Sequence, residues 1–585
     1  MNKLNKLHML VMASLISPMA AAETYNLVVK HDIDTSMSRD FAKSIMVDEL
    51  QHNGVTIINH TFTPIGYYTD ITVEADSAEQ AISLLKNENF LFVEERVEFK
   101  TPDVKVEEMP TSYIQFGAYS DETPNDPEYL ANQYKYFQPL QAYFADGLDN
   151  YSGSNFIGLL NNLSGNGSKV RLGIPDDVFR KHSDVNWGNE GANFAYGNND
   201  PFIQFNTPCY DDYDHGDIVA SVAGAKTNSG IGIAGTASDN VEIIPVRTKN
   251  CEGNYPSGNL INAVYWLGGV SFSDRGIEDI STPVDVVNLS YHMYYGETTI
   301  DQCPAQIEDM LQFLEQKNII LVQSAGNGNS NIEDDKKPNS AVLCGRGRMI
   351  SVGGVETTHD KSVLSSYGRI DTFTHGSGVS AYGIEENTPV LVSGTSLSSP
   401  LVAGAIATVI SEVGRINAQD LGYLVHSTGT NFADENLWGE TFCKNTYCGS
   451  GVIDAGRLLA AAREFKSGEL STIKHAIIDE SEEDQSIFIK HLAPEVDVCS
   501  LREITFNNQA IELKHASYKL YKTAKGSQGT DTTEPVLTST QPSVIHEITQ
   551  DDLTSFDYSY EYCDAIDCTN KMPITLSTEL PEKCS

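Results

Sequence analysis

Between residues 127 and 465, short apolar runs alternate with longer stretches of helical periodicity. The runs KVRLGI (169–174), VEIIPVRT (241–248), VDVVNLS (284–290), IILVQSAGN (319–327) and MISVGGV (349–355) read as strands. DIVASVAGA (217–225), NLINAVYWLGG (259–269) and CPAQIEDMLQFLEQ (303–316) read as helices. Strands that are apolar on both faces and separated by helices predict an α/β domain. Its sheet is mainly parallel and covered by helices on both faces. In such a sheet the active residues collect beyond the carboxyl ends of the strands.

The flanking regions follow other patterns. Residues 23–105 alternate strand, helix, strand, strand, helix, strand, from YNLVVK (25–30) to FLFVEERVEFK (90–100). That order predicts a small α+β unit of the split βαβ kind. Ser38 to His52 reads as its first helix, and Ser77 with Gln80 has capping-box spacing at the start of the second. Residues 106–126 are polar with prolines and read as a linker. Residues 466–585 open with the acidic run DESEEDQ (479–485), then give short alternating strands such as ASYKLYK and FDYSYEYC, which predicts a small β domain.

Composition narrows the setting. Lys3 and Lys6, the apolar run Met9 to Ile16 and Ala20-Ala21-Ala22 have the form of a secretory signal over residues 1–22. The run is too short for a membrane anchor. An exported chain with ten cysteines is expected to hold disulfides. Short loops favour the pairs 209 with 251, 303 with 344 and 443 with 448. Lysine and arginine total 39 against 80 aspartate and glutamate, a net charge of −41. That balance argues against nucleic acid or an anionic membrane as partner.

Three segments carry candidate chemistry. Gly394-Thr395-Ser396-Leu397-Ser398-Ser399-Pro400 opens a helix of small and apolar residues. A serine there sits among unpaired N–H groups at a positive helix end, where developing negative charge is favoured. His215-Gly216-Asp217 opens a second helix. Ser324-Ala325-Gly326-Asn327 ends an apolar strand and sets out an amide donor.

The order His215, Asn327, Ser396 resembles the subtilisin-like serine peptidases, the subtilases. Asn228 to Gly235, Val286 to Ser290 and Gly449 to Ala455 are similar to further stretches of that family. The resemblance implies a secreted serine endopeptidase acting on proteins. Ser396 is then the nucleophile and His215 the general base, with Asn327 and the Ser396 N–H as the oxyanion hole. It also makes residues 23–105 an inhibitory propeptide, cut off between about 101 and 126. Asn125-Asp126-Pro127 resembles the start of many mature subtilases. Asp184 matches a carboxylate that often binds structural calcium in the family, the one cofactor implied.

The third triad member is less plain. The family spacing, counted back from His182, falls on Pro175, which cannot orient an imidazole. Val170, Leu172, Ile174 and Asp176 share one face of a strand, which favours Asp176 as the acid. Asp177 is the fallback, and a broken triad would make the chain a binding protein on a peptidase scaffold. Asp176-Asp177 also resembles the narrow processing peptidases of the kexin group. Tyr291 and His292 stand where the family often has Leu-Gly at the specificity pocket, which puts a broad apolar preference in doubt.

Overall fold

A computed structural model describes residues 23–32, 45–46, 57–63, 68–75, 77–85, 90–95, 98–100, 105–107, 124–141, most of 151–429, 451–467 and short segments between 495 and 574. The signal segment, most of the linker, most of Ser38 to His52, the acidic run and the 443 and 448 cysteines lie outside the described residues. The chain divides into two compact units, Met1–Arg96 and Val97–Ser585.

In the first unit the strands run in the order Ile57–Thr63, Tyr68–Ala75, Glu23–His31, Phe90–Glu95, all antiparallel. Leu27 and Val29 alternate onto one face with Ile71 and Val73, and the helix Ala78–Leu85 closes that face with Ala81 and Leu85. Ser77 Oγ accepts the Gln80 N–H at 3.1 Å, which caps the helix as its spacing predicts. The compact unit ends at Arg96. Glu98–Lys100 and Lys105–Glu107 pair instead with His292–Tyr294 and Pro389–Ser393 of the second unit. A local apolar pattern identifies a strand but not its partner.

The second unit is built on a seven-stranded sheet. Its order is Ala192–Asn193, Val241–Arg247, Val170–Asp176, Val286–Leu289, Ile320–Ser324, Ile350–Val355, Thr372–His375, with every neighbour parallel. All five strands read from apolar runs are present, so the fold is the expected α/β sheet. From Val170–Asp176 the chain first builds toward one edge, then returns and builds toward the other. That reversal makes a switch point at the carboxyl end of this strand, where a cleft opens. The helix Thr395–Val413 is buried from Thr395 to Ser411 and packs across the sheet. Among the described residues it is the one helix long and apolar enough to cross a membrane, and here it is core. Disulfides join Cys209 to Cys251 and Cys303 to Cys344. Beyond residue 494 the described strands form a three-stranded and a four-stranded antiparallel sheet, in keeping with a β-rich region.

Candidate active site

Asp176 ends the strand at the switch point and is fully buried. Its carbonyl accepts the N–H and the hydroxyl of Thr248 from the neighbouring strand's end, at 2.8 and 2.9 Å. Its carboxylate Oδ1 accepts His215 Nδ1 at 2.8 Å and the Asp177 N–H at 2.7 Å. The structure therefore brings Asp176, and not Asp177, to the imidazole. His215 is the first residue of the helix His215–Gly224. That helix is held by an ion pair with no solvent exposure, Arg180 Nη1 to Asp217 Oδ2 at 2.8 Å. Asp217 thus positions the helix that carries the imidazole.

Ser396 lies in the first turn of Thr395–Val413, after Gly394 at φ 152°, a value that favours glycine. Its backbone N–H belongs to the turn that has no intrahelical acceptor. Pro400 stands four residues on and has no N–H to donate, so the Ser396 carbonyl loses its helical partner. The Ser290 hydroxyl takes that carbonyl at 2.9 Å. Ser399 Oγ also donates to Asn288 Oδ1 of the strand beneath. The proline is tolerated because the neighbouring strand end supplies the missing donor, and the bond ties the helix start to the cleft.

Asn327 follows Gly326, whose φ of +106° only glycine adopts readily, and whose added Cβ would stand 2.7 Å from His292 Nδ1. The Asn327 carboxamide oxygen accepts both the N–H and the hydroxyl of Thr395, at 2.9 and 2.8 Å. With its oxygen so anchored, the amide presents Nδ2 as a donor beside the start of the Ser396 helix. The sheet and that helix thus bring Asp176, His215, Asn327 and Ser396 together.

Ser396 Oγ lies 3.5 Å from the Ser290 carbonyl, and His215 Nε2 is buried with no hydrogen bond. Catalytic hydrogen bonds often tighten only when substrate arrives. Burial disfavours the imidazolium, but the Asp176 carboxylate outweighs burial and holds the His215 pKa above its ordinary value. Asp177 adds to that rise and Lys249 opposes it. An aligned imidazole, a serine at a positive helix end and two fixed N–H donors can together carry out acyl transfer.

Asp184, the expected calcium ligand, sits in a different setting. Its Oδ2 accepts the Tyr382 hydroxyl, and its Oδ1 is buried without a hydrogen bond. Calcium takes about six to eight oxygens. Nearby Asp126 has both its oxygens engaged by the N–H groups of Asn228, Ser229 and Gly230. The Ile231 and Gly232 carbonyls are taken by Ser229 Oγ and the Glu128 N–H. Among the described residues no group of three metal-type side chains gathers. Tyr382 also packs against the Gly232 loop. A Cβ at Gly232 would stand 1.9 Å from its hydroxyl, so the loop needs glycine to admit the phenol.

Sequence reasoning passed over Thr395, which anchors Asn327, and Lys249 and Tyr382, which hold Asp177 and Asp184. Only Thr395 carried a signal, its place directly before Ser396. The other two meet their partners through contacts 72 and 198 residues apart in the chain.

Residues 167–443 match the profile of the Subtilase family. The chain is 27% identical over 276 residues to subtilisin DY of Bacillus licheniformis, covering 47% of this chain and 88% of that protein. It is 26% identical over 327 residues to thermitase of Thermoactinomyces vulgaris, covering 56% and 98%. It is 28% identical over 261 residues to an extracellular basic protease of Dichelobacter nodosus, covering 42% of this chain and 39% of that protein.

Proposed function

We propose that the chain is a serine-type endopeptidase of the subtilase family, exported as an inhibited precursor that first cuts its own backbone within residues 101–104. Ser396 attacks the peptide carbonyl while His215 Nε2 takes the hydroxyl proton. Asp176 keeps the other imidazole nitrogen protonated and steadies the imidazolium that forms. Asn327 Nδ2 and the Ser396 N–H hold the oxyanion. The imidazolium then gives its proton to the leaving amine, and a water, deprotonated in turn by His215, releases the acyl group. Other proteins are the later substrates.

What carries the self-cleavage reading is strand register. His292 pairs with Lys100 in an antiparallel ladder, and Ser393 pairs with Lys105 in another. The partner strands thus place these ladders within three residues of Ser290 and Ser396 along the chain. Ladders of this kind hold a chain beside the nucleophile as a substrate would be held. The signal-like segment and the cysteines support export. The test is the mass and new N-terminus of the full-length chain after expression. Wild type is expected to begin at Pro102, Asp103 or Val104, and Ser396→Ala to stay joined. A start beyond Glu107, or an unchanged cut in Ser396→Ala, would overturn the reading.

A further inference from the structure

Next to the triad lies a second charge pair that the reaction above leaves unused. Asp177 and Lys249 are both nearly excluded from solvent. Lys249 Nζ donates to Asp177 Oδ2 at 3.1 Å, and the buried Tyr291 hydroxyl donates to Oδ1. The two chain segments run side by side, since the Thr248 N–H bonds the Asp176 carbonyl and the Lys249 N–H the Asp177 carbonyl. The Tyr291 ring stands 6.0 Å from the His215 ring. One carboxylate thus faces the imidazole directly, while its chain neighbour sits beside it, covered by an ammonium and a phenol.

We propose that Lys249 and Tyr291 balance the charge of Asp177, so that this second carboxylate does not trap His215 in its protonated, inactive form. The three are positioning residues for the triad, and the proposal rests on the reading of Ser396 and His215 given above. Among the described residues, the charged and titratable groups packed around the His215 helix are engaged as follows. Arg180 is paired with Asp217 of that helix, with His182 at 3.7 Å from the same carboxylate. Tyr382, from the strand Val379–Tyr382, is bonded to Asp184. Arg247 lies against the sulfurs of the Cys209–Cys251 disulfide. Toward the imidazole, the helix Thr395–Val413 brings the neutral Ser396. Among the described residues, the balance at His215 is therefore struck among Asp176, Asp177 and Lys249.

The experiment measures the rate at which a fluorophosphonate labels Ser396 as a function of pH, in the full chain after processing. An unbalanced neighbouring charge moves an imidazole pKa by roughly one unit. Lys249→Met is expected to move the acid midpoint of labelling upward by roughly one pH unit, and the isosteric Asp177→Asn to move it downward. The double variant is expected to return close to the wild-type midpoint. Lys249→Gln stands in should the methionine variant fail to fold, and the low-field proton of the His215–Asp176 hydrogen bond, followed by NMR, reads the same titration. Unmoved midpoints, or shifts in one direction for both single variants, overturn the charge balance. A wild-type chain that takes no label at any pH overturns the triad reading instead, so the two failures are distinct.

Discussion

Asp176 and Asp184 make a useful pair. Both are buried, and each has one carboxylate oxygen without a hydrogen bond. Asp176 meets an imidazole and Asp184 meets a phenol. An imidazole gains and loses its proton near neutrality, so the first corner can move a proton during a reaction. Burial holds the Tyr382 hydroxyl well above its usual pKa, and burial likewise raises Asp184, with Asp126 adding to it. At the second corner the phenol therefore keeps its proton near neutral pH and serves as a donor. It is a fixed staple between the loop after His182 and the strand Val379–Tyr382. The same residue type takes its role from the group that tertiary structure sets against it.

The largest test of that contrast is Asp176→Asn. It keeps the shape but fixes the imidazole in the wrong tautomer, and is expected to lower kcat about 10⁴-fold while thermal stability stays nearly unchanged. A loss under tenfold would mean that another group orients His215. Next comes Asn327→Ala. Removing one oxyanion donor is expected to cost about 10²–10³ in kcat with KM little altered, a size known from a subtilisin rather than from this chain. A change in KM alone would place Asn327 in substrate binding. The smallest effect belongs to the second corner. Tyr382→Phe leaves a buried carboxylate without its donor and is expected to cost about 1–3 kcal/mol in stability, read from denaturant or thermal unfolding, with kcat intact at low temperature. Excess EDTA should leave the wild-type melting temperature where it was. A drop on chelation would restore a cation to Asp184 and dissolve the contrast.

The legible part of this molecule is local in origin. The five apolar runs became parallel strands because burial on both faces demands apolar residues at successive positions. Ser77 was readable as a cap because its partner Gln80 stands three residues away. Asp176 could be preferred to Asp177 because the two-residue period of a strand sends neighbouring side chains to opposite faces. The cysteine pairs 209–251 and 303–344 were within reach of a short-loop argument. The setting of Asp184 was not legible for the opposite reason. A motif shows a carboxylate at a position but not which distant hydroxyl occupies the space before it.

What the amino-acid order determined alone was the alternation of strand and helix, the small residues around Gly326 and Gly394, and the set of side chains able to do acyl transfer. Those follow from periodicity, backbone sterics and side-chain chemistry, which act over a few residues. Tertiary structure decided the rest. It placed Asp176 against His215, gave the Ser396 carbonyl a donor from Ser290 in place of Pro400, covered Asp177 with Lys249 and Tyr291, and paired residues 98–100 and 105–107 with the strands His292–Tyr294 and Pro389–Ser393. Each is a directional hydrogen bond between segments far apart in the chain. Such a bond depends on where the sheet and its helices bring those segments, and no local pattern encodes that distance.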